Sequence, residues 1–186
     1  MIQYPVSLRA LARIIAVRLP TTHNTDDAPR KNARIAWRTR ARELTRRLRA
    51  GGSYSGEEEI WSELNRVFAD LQGGGKCAYC EKKLDLHRSG RVAGDIEHYR
   101  PKGGVVAWPT THPISTGGNA PGCYYLLAFY LRNYLLACSV CNQDYKRNYF
   151  PIAGPRCAPT STRSRDLKAE LPYLPHRSSA AFRDRI

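Results

Sequence analysis

Two short cysteine pairs constrain this chain more than any other feature. Cys77-Ala78-Tyr79-Cys80 and Cys138-Ser139-Val140-Cys141 are both C-x2-C turns. Each such turn presents two thiolates to one ion, and two turns complete a tetrahedral S4 site of the kind that holds zinc. A site of this type is closed, so it holds a fold together and does no chemistry at the metal. Any reaction must therefore be carried by other residues. Between the pairs lies Gly94-Asp95-Ile96-Glu97-His98-Tyr99-Arg100-Pro101-Lys102, and Asn142 follows the last cysteine. One compact module over residues 77–142 can hold both sets. Cys123 and Cys157 are left over. This spacing points to metal binding rather than a disulfide framework, and so to a reducing, cytoplasmic setting.

The chain has 186 residues, with 30 Lys and Arg against 16 Asp and Glu, a formal charge of +14. That length suits one domain with an appendage, or two small ones. The positive field favours phosphate-rich partners. No run approaches 18 apolar residues, so no transmembrane helix is expected and no membrane partner is assigned. The N-terminus lacks the apolar core and cleavage site of a secretory signal, and only faintly resembles a transit peptide.

The charge is unevenly placed. Residues 1–50 hold twelve basic residues and three acidic ones. Leu8, Leu11, Ile15 and Leu19 recur at helical spacing, predicting a helix over residues 5–19. Asp26-Asp27-Ala28-Pro29 reads as the start of a second helix that stops at Gly51-Gly52. Its arginines cover most of its circumference, with Arg30, Arg34, Arg38, Arg42 and Arg46 forming a slowly drifting stripe. A third helix is predicted from about Ser55, with Ile60, Leu64, Val67, Phe68 and Leu71 as its core face. Beyond Gly73-Gly74-Gly75 the pattern changes. Arg91–His98 reads as a strand and residues 102–121 as a long Gly/Pro-rich loop. Tyr124–Arg132 reads as a helix, Asn133–Ala137 as a strand, and Asn142–Lys146 as the start of a short helix. The expected organisation is a basic helical region over 1–72, an α+β zinc module over 73–155, and a basic, proline-containing tail over 156–186.

His98 is the leading candidate for chemistry, because neutral imidazole can take a proton from water near neutral pH. A neighbouring carboxylate can bind a hard divalent cation, and Asn142 can add an amide oxygen once the second cysteine pair anchors it. On a regular strand Asp95 and Glu97 share one face while His98 takes the other. A kink is needed to bring Glu97 and His98 together.

These residues carry a resemblance. Glu97-His98, then Asn133-x2-Leu136-x-Cys138-x2-Cys141-Asn142 with Lys146 downstream, resembles the HNH nuclease motif. The resemblance implies a ββα-metal module with a cysteine-held Zn2+. It implies that His98 activates water, that Asn133 orients His98 or its loop, and that Glu97 and Asn142 hold a catalytic Mg2+ or Mn2+, with Asp95 in reserve. A narrower similarity covers about residues 60–155. Gly75-Lys76-Cys77-Ala78-Tyr79-Cys80-Glu81, Ile96-Glu97-His98-Tyr99-Arg100-Pro101-Lys102, Ala137-Cys138-Ser139-Val140-Cys141-Asn142 and Phe150-Pro151 are similar to the HNH subunits of bacterial Septu and retron-associated anti-phage systems. Those subunits act with an ATPase partner, so the resemblance implies a DNA endonuclease in such a complex. Arg100, Lys102, Lys146 and Arg147 are the expected phosphate contacts. The alternative is a catalytically idle zinc module that binds nucleic acid or serves in assembly.

Overall fold

The computed structural model describes residues 31–56, 58–87, 91–109, 111–112 and 122–175. The helix expected over 5–19, Arg30, the side chain of Arg34, most of the 102–121 loop beyond Pro109, and the tail beyond 175 lie outside the described residues. Among the described residues the architecture is α+β, with three α-helices, several single turns, a two-stranded sheet and a cluster of four cysteines. Among the described residues no helix is long and apolar enough to cross a membrane.

Helix α1 (Lys31–Gly51) is amphipathic despite its arginines. Trp37, Ala41, Leu44 and Leu48 are buried on one side, while Arg38, Arg42, Arg46, Arg47 and Arg49 are exposed. The apolar residues repeat every three or four positions and so form one stripe. Each large one contributes about 1.5–3 kcal/mol by leaving water. After Gly52 the chain folds back. The expected third helix begins as a tight 3-10 turn (Ile60–Leu64) and becomes α2 (Asn65–Leu71) only afterwards. The change of winding lets Ile60, Trp61 and Leu64 face inwards together.

Strand β1 (Asp95–His98) pairs antiparallel with β2 (Tyr134–Ala137), with Asp95 opposite Ala137 and His98 opposite Tyr134. Both strands are shorter than the sequence suggests at their outer ends. All four β2 residues are buried, because the hairpin is covered on both faces. Ile96, Tyr134 and Leu136 face a core made with α1, the 3-10 turn and α2. Leu135 faces a second core of Ala78, Tyr99, Tyr124, Leu127, Phe150 and Ile152, closed by Cys157, Leu167 and Leu174 from the C-terminal segment. Two amides on α2 and just beyond it pin the hairpin to the helical layer. Asn65 donates to the carbonyls of Val92 (3.1 Å) and Gly94 (2.8 Å) and accepts from the Val92 amide. Gln72 donates to the carbonyls of Lys76 and Leu136 and accepts from the Leu136 amide. Gly94 is required where it stands, since a Cβ there would lie 2.7 Å from the Ala137 carbonyl oxygen.

The helix expected over Tyr124–Arg132 is instead two 3-10 turns, Tyr125–Leu127 and Leu131–Asn133. The cause is local. The Ala128 carbonyl, which a helix would offer to the Arg132 amide, accepts from the side chains of His98 and Tyr134. The Leu127 carbonyl accepts from the Asn133 side chain. The short helix after the second cysteine pair is a wider, π-helical turn over Val140–Lys146. The described part of the C-terminal segment is mostly irregular, with α3 (Ser164–Ala169), and it packs back on the second core.

Candidate functional site

Cys77, Cys80, Cys138 and Cys141 converge, their sulfurs all within 4.8 Å of one another. The Cys80 and Cys138 sulfurs are 3.9 Å apart. A tetrahedron built on Zn–S bonds of about 2.3 Å has edges of about 3.8 Å, so the donor set fits zinc in kind and in size. The first pair sits on a turn in which the Glu81 amide returns to the Cys77 carbonyl and Glu81 adopts φ +61°. The second pair opens the π-helical turn, and its amides are turned onto sulfur: Cys138 N–H to Cys77 Sγ at 3.3 Å, Cys141 N–H to Cys138 Sγ at 3.4 Å. Burial resists ionisation of Cys77, but the amides of Cys80, Cys138 and Tyr79 outweigh it and hold the thiol down to about 7. Cys141 is pushed up, by burial first and then by the sulfurs around it. Four thiolates at this spacing call for a cation between them.

His98 ends β1 and points towards the helical layer. Its Nε2 lies 2.9 Å from the Ala128 carbonyl oxygen. A carbonyl only accepts, so Nε2 carries the proton and Nδ1 is left with its lone pair. Tyr134 donates its hydroxyl to the same carbonyl at 2.6 Å. The imidazole stands edge-on between Trp61 (centroids 4.6 Å apart) and Tyr134 (5.2 Å). Only 5% of the residue is exposed. Burial, reinforced by the Lys102 and Lys146 ammonium groups, holds its pKa down to about 3, against the opposing pull of the Ala128 bond.

Asn133 clamps the chain immediately after His98. Its side chain accepts from the Arg100 amide (2.9 Å) and donates to the Arg100 carbonyl (3.0 Å), while its own carbonyl accepts from the Tyr99 amide (2.8 Å). The start of the loop that follows the imidazole is thereby fixed by one residue at the entry to β2.

The carboxylates lie elsewhere. No kink converges Glu97 with His98; the regular alternation of β1 turns Glu97 to the opposite side, where it forms a buried ion pair with Lys146. Lys146 also donates to the His98 carbonyl at 2.8 Å. Burial pushes the Glu97 carboxyl up and the Lys146 ammonium down, each towards its neutral form, and their mutual attraction opposes both. Asn142 meets Asp95 rather than Glu97: its Nδ2 is 3.2 Å from Asp95 Oδ2, which Gln143 also approaches at 3.0 Å. Glu97 and Asn142 therefore do not form a joint cradle for a divalent cation. Asp95 and Asn142 do lie together, partly open to solvent, with the Asn142 amide nitrogen turned to the carboxylate; a rotated Asn142 amide would add an oxygen beside Asp95 for a hard ion.

Of the expected phosphate contacts, Arg147 is exposed, at the end of the π-helical turn with φ +44°. Lys146 is committed to Glu97 and His98 as described. Arg100 is bound by Glu170 at 3.0 Å and by the Leu167 carbonyl at 2.8 Å, with 11% of its side chain exposed. Lys102 is half-buried, its ammonium 4.5 Å from the Trp61 ring centre and 5.2 Å from that of Tyr54. Sequence patterns did not single out Trp61, Tyr134, the Ala128 carbonyl or Glu170. Trp61 and Tyr134 read as ordinary apolar positions, a backbone carbonyl has no side-chain signature, and Glu170 lies in a segment without periodicity.

No family model matches the chain, and no solved structure matches it. Among curated proteins, a stretch of 96 residues is 35% identical to the Septu protein PtuB of Bacillus mycoides (strain KBAB4). The stretch is 52% of this chain and 28% of that protein, so the chain spans little more than a quarter of its relative's length.

Proposed function

We propose that this chain is an HNH-type endonuclease of the ββα-metal kind, acting on DNA as part of a Septu-like anti-phage defence complex with an ATPase partner. The observation that carries it is the state of His98. The residue closes the first strand of a hairpin, its Nε2–H is taken by the Ala128 carbonyl, and the loop after it is fixed by Asn133. That leaves a neutral Nδ1 as the base for a water, the role a phosphodiesterase requires. The order strand, strand, helical turn, with a cysteine cluster at the hairpin's far end, supports this reading. The likeness to a Septu protein supplies the defence setting.

In this account Cys77, Cys80, Cys138 and Cys141 hold a structural Zn2+. Asn133 keeps the His98 loop in place, His98 draws the proton from water, and Arg147 with Lys102 meets backbone phosphates. Asp95 and Asn142 are the residues suited to hold a Mg2+ or Mn2+, and Glu97 is reserved to Lys146. A divalent ion bound there would supply positive charge to the DNA backbone from the sheet face opposite His98. The organisation that follows is a nuclease module over 73–155 served by the basic region 1–72 and by the tail 156–186.

A second reading, an idle zinc module for nucleic-acid binding or assembly, draws on the Glu97–Lys146 pair, which removes the carboxylate beside the histidine from metal binding. Nicking of supercoiled plasmid by the zinc-loaded full chain separates the two. Cleavage that begins on adding Mg2+ or Mn2+ is expected. Tight DNA binding without cleavage under either ion, with an ATPase partner present, would favour the idle module.

A further inference from the structure

His98 is placed as a base yet is shut away from water. The 3-10 turn Ile60–Leu64 lays Trp61 against the imidazole with the two planes at 86°, and Phe129 backs the indole at 5.8 Å. A base must reach a water within hydrogen-bond distance, so the covered state is a resting state. The cover has identifiable fasteners. On its outer side the Trp37 indole donates to the Ile60 carbonyl at 2.8 Å, and Arg40 of α1 holds Glu63 at 2.9 Å and Glu58 at 3.1 Å. On the active-site side the fastener is Lys102, whose ammonium lies against the rings of Trp61 and Tyr54. Lys102 stands four residues after His98, just before Gly103 and Gly104, which have open space around them.

We propose that Trp61 is the cover of His98, that Lys102 latches it through the Trp61 and Tyr54 rings, and that a DNA backbone opens it by drawing Lys102 onto a phosphate. This rests on the nuclease reading and adds its regulation. A charge-assisted bond from ammonium to phosphate is stronger than attraction to two ring faces, so the exchange runs in the direction required. Opening then follows substrate arrival, and the base is kept from idle water until a phosphodiester is present. Trp61 in this scheme is a positioning residue, and the N-terminal layer is a wall of the site rather than an appendage.

Acylation of imidazole by diethylpyrocarbonate, followed by peptide mapping, reads the cover directly on the zinc-loaded full chain. In the resting protein His98 should react about tenfold or more slowly than exposed His87, since reaction must wait for local opening. Trp61→Ala and Lys102→Ala should each raise the His98 rate several-fold, while Trp61→Phe should leave it low. Zinc stoichiometry checks that each variant is folded, and Lys102→Ala stands as the test if Trp61→Ala is not. Adding a short DNA duplex without divalent ion should change tryptophan emission in the wild type, and the change should be smaller in Trp61→Phe, which keeps Trp37 and Trp108, and in Lys102→Ala. A wild-type His98 that reacts as fast as His87, rates unmoved by Lys102→Ala, or an emission change of undiminished size in Trp61→Phe would each overturn the proposal. Acylation needs no cleavage. A chain with the expected labelling pattern that never cuts DNA would defeat the nuclease reading and leave the cover standing.

Discussion

At the scale of single residues, His98 joins stability to chemistry. Unfolded, its imidazole takes up a proton below about 6.5; folded, it does so only near 3. Between these values the unfolded chain binds more protons, so acid favours unfolding, and above about 6.5 His98 contributes no pH dependence. The loss across that window is at most on the order of 4–5 kcal/mol. Thermal midpoints measured from pH 7 down to pH 4 should therefore fall more steeply for the wild type than for His98→Gln. Acid release of a metal from the cysteines is common to both and cancels in the difference. Parallel curves would mean that the histidine is not buried in the neutral form. The acid–histidine step was legible in the sequence; its division between two sheet faces was flagged by strand geometry, while Lys146 as the partner of Glu97 was not. Nothing in a linear pattern says which lysine will return to a carboxylate across a turn.

At the scale of elements, what the sequence revealed depended on periodicity. The core face predicted after Ser55 and the strand leading into Cys138 were readable because their side chains repeat with the backbone. Tyr124–Arg132 was misread because its apolar residues suit a helix, while its carbonyls are diverted to His98, Tyr134 and Asn133. Such side-chain capture of backbone groups has no period. The C-terminal segment was opaque for a related reason: its main tie is a single residue. Glu170 is fully buried and accepts from Arg100, from the Tyr124 hydroxyl at 2.7 Å and from the Cys157 amide at 3.1 Å. Glu170→Ala leaves a guanidinium without its partner and should cost about 3–5 kcal/mol, with Glu170→Gln milder. Chemical denaturation checks this; a cost within experimental error would show that the strap is not held by its charge. The two cysteine pairs make a second prediction at this scale. Cys138→Ser should abolish stoichiometric zinc and unfold the hairpin end, since metal binding and folding are linked. A folded variant with the same metal content would refute the S4 site.

Across the whole molecule, the boundary drawn at residue 72 from composition divides a single core. Trp37, Leu44 and Leu48 of the basic helix pack in the same cluster as Val92, Ile96 and Leu136 of the hairpin. Removing residues 1–54 should thus lower the thermal midpoint sharply, each large buried side chain accounting for about 2–5 kcal/mol. A truncated chain as stable as the full one would show that the helix is an appendage. The same helix keeps Arg38, Arg42, Arg46, Arg47 and Arg49 outwards, so one element both completes the core and carries exposed positive charge. The central claim, that this core exists to present His98 to a phosphodiester, is tested most directly by single-turnover cleavage of an end-labelled duplex, comparing the zinc-loaded wild type with His98→Ala at equal zinc content. The account predicts a rate lower by about 10²–10⁴-fold in the variant, the share of a general base. Equal rates in the two proteins would contradict it.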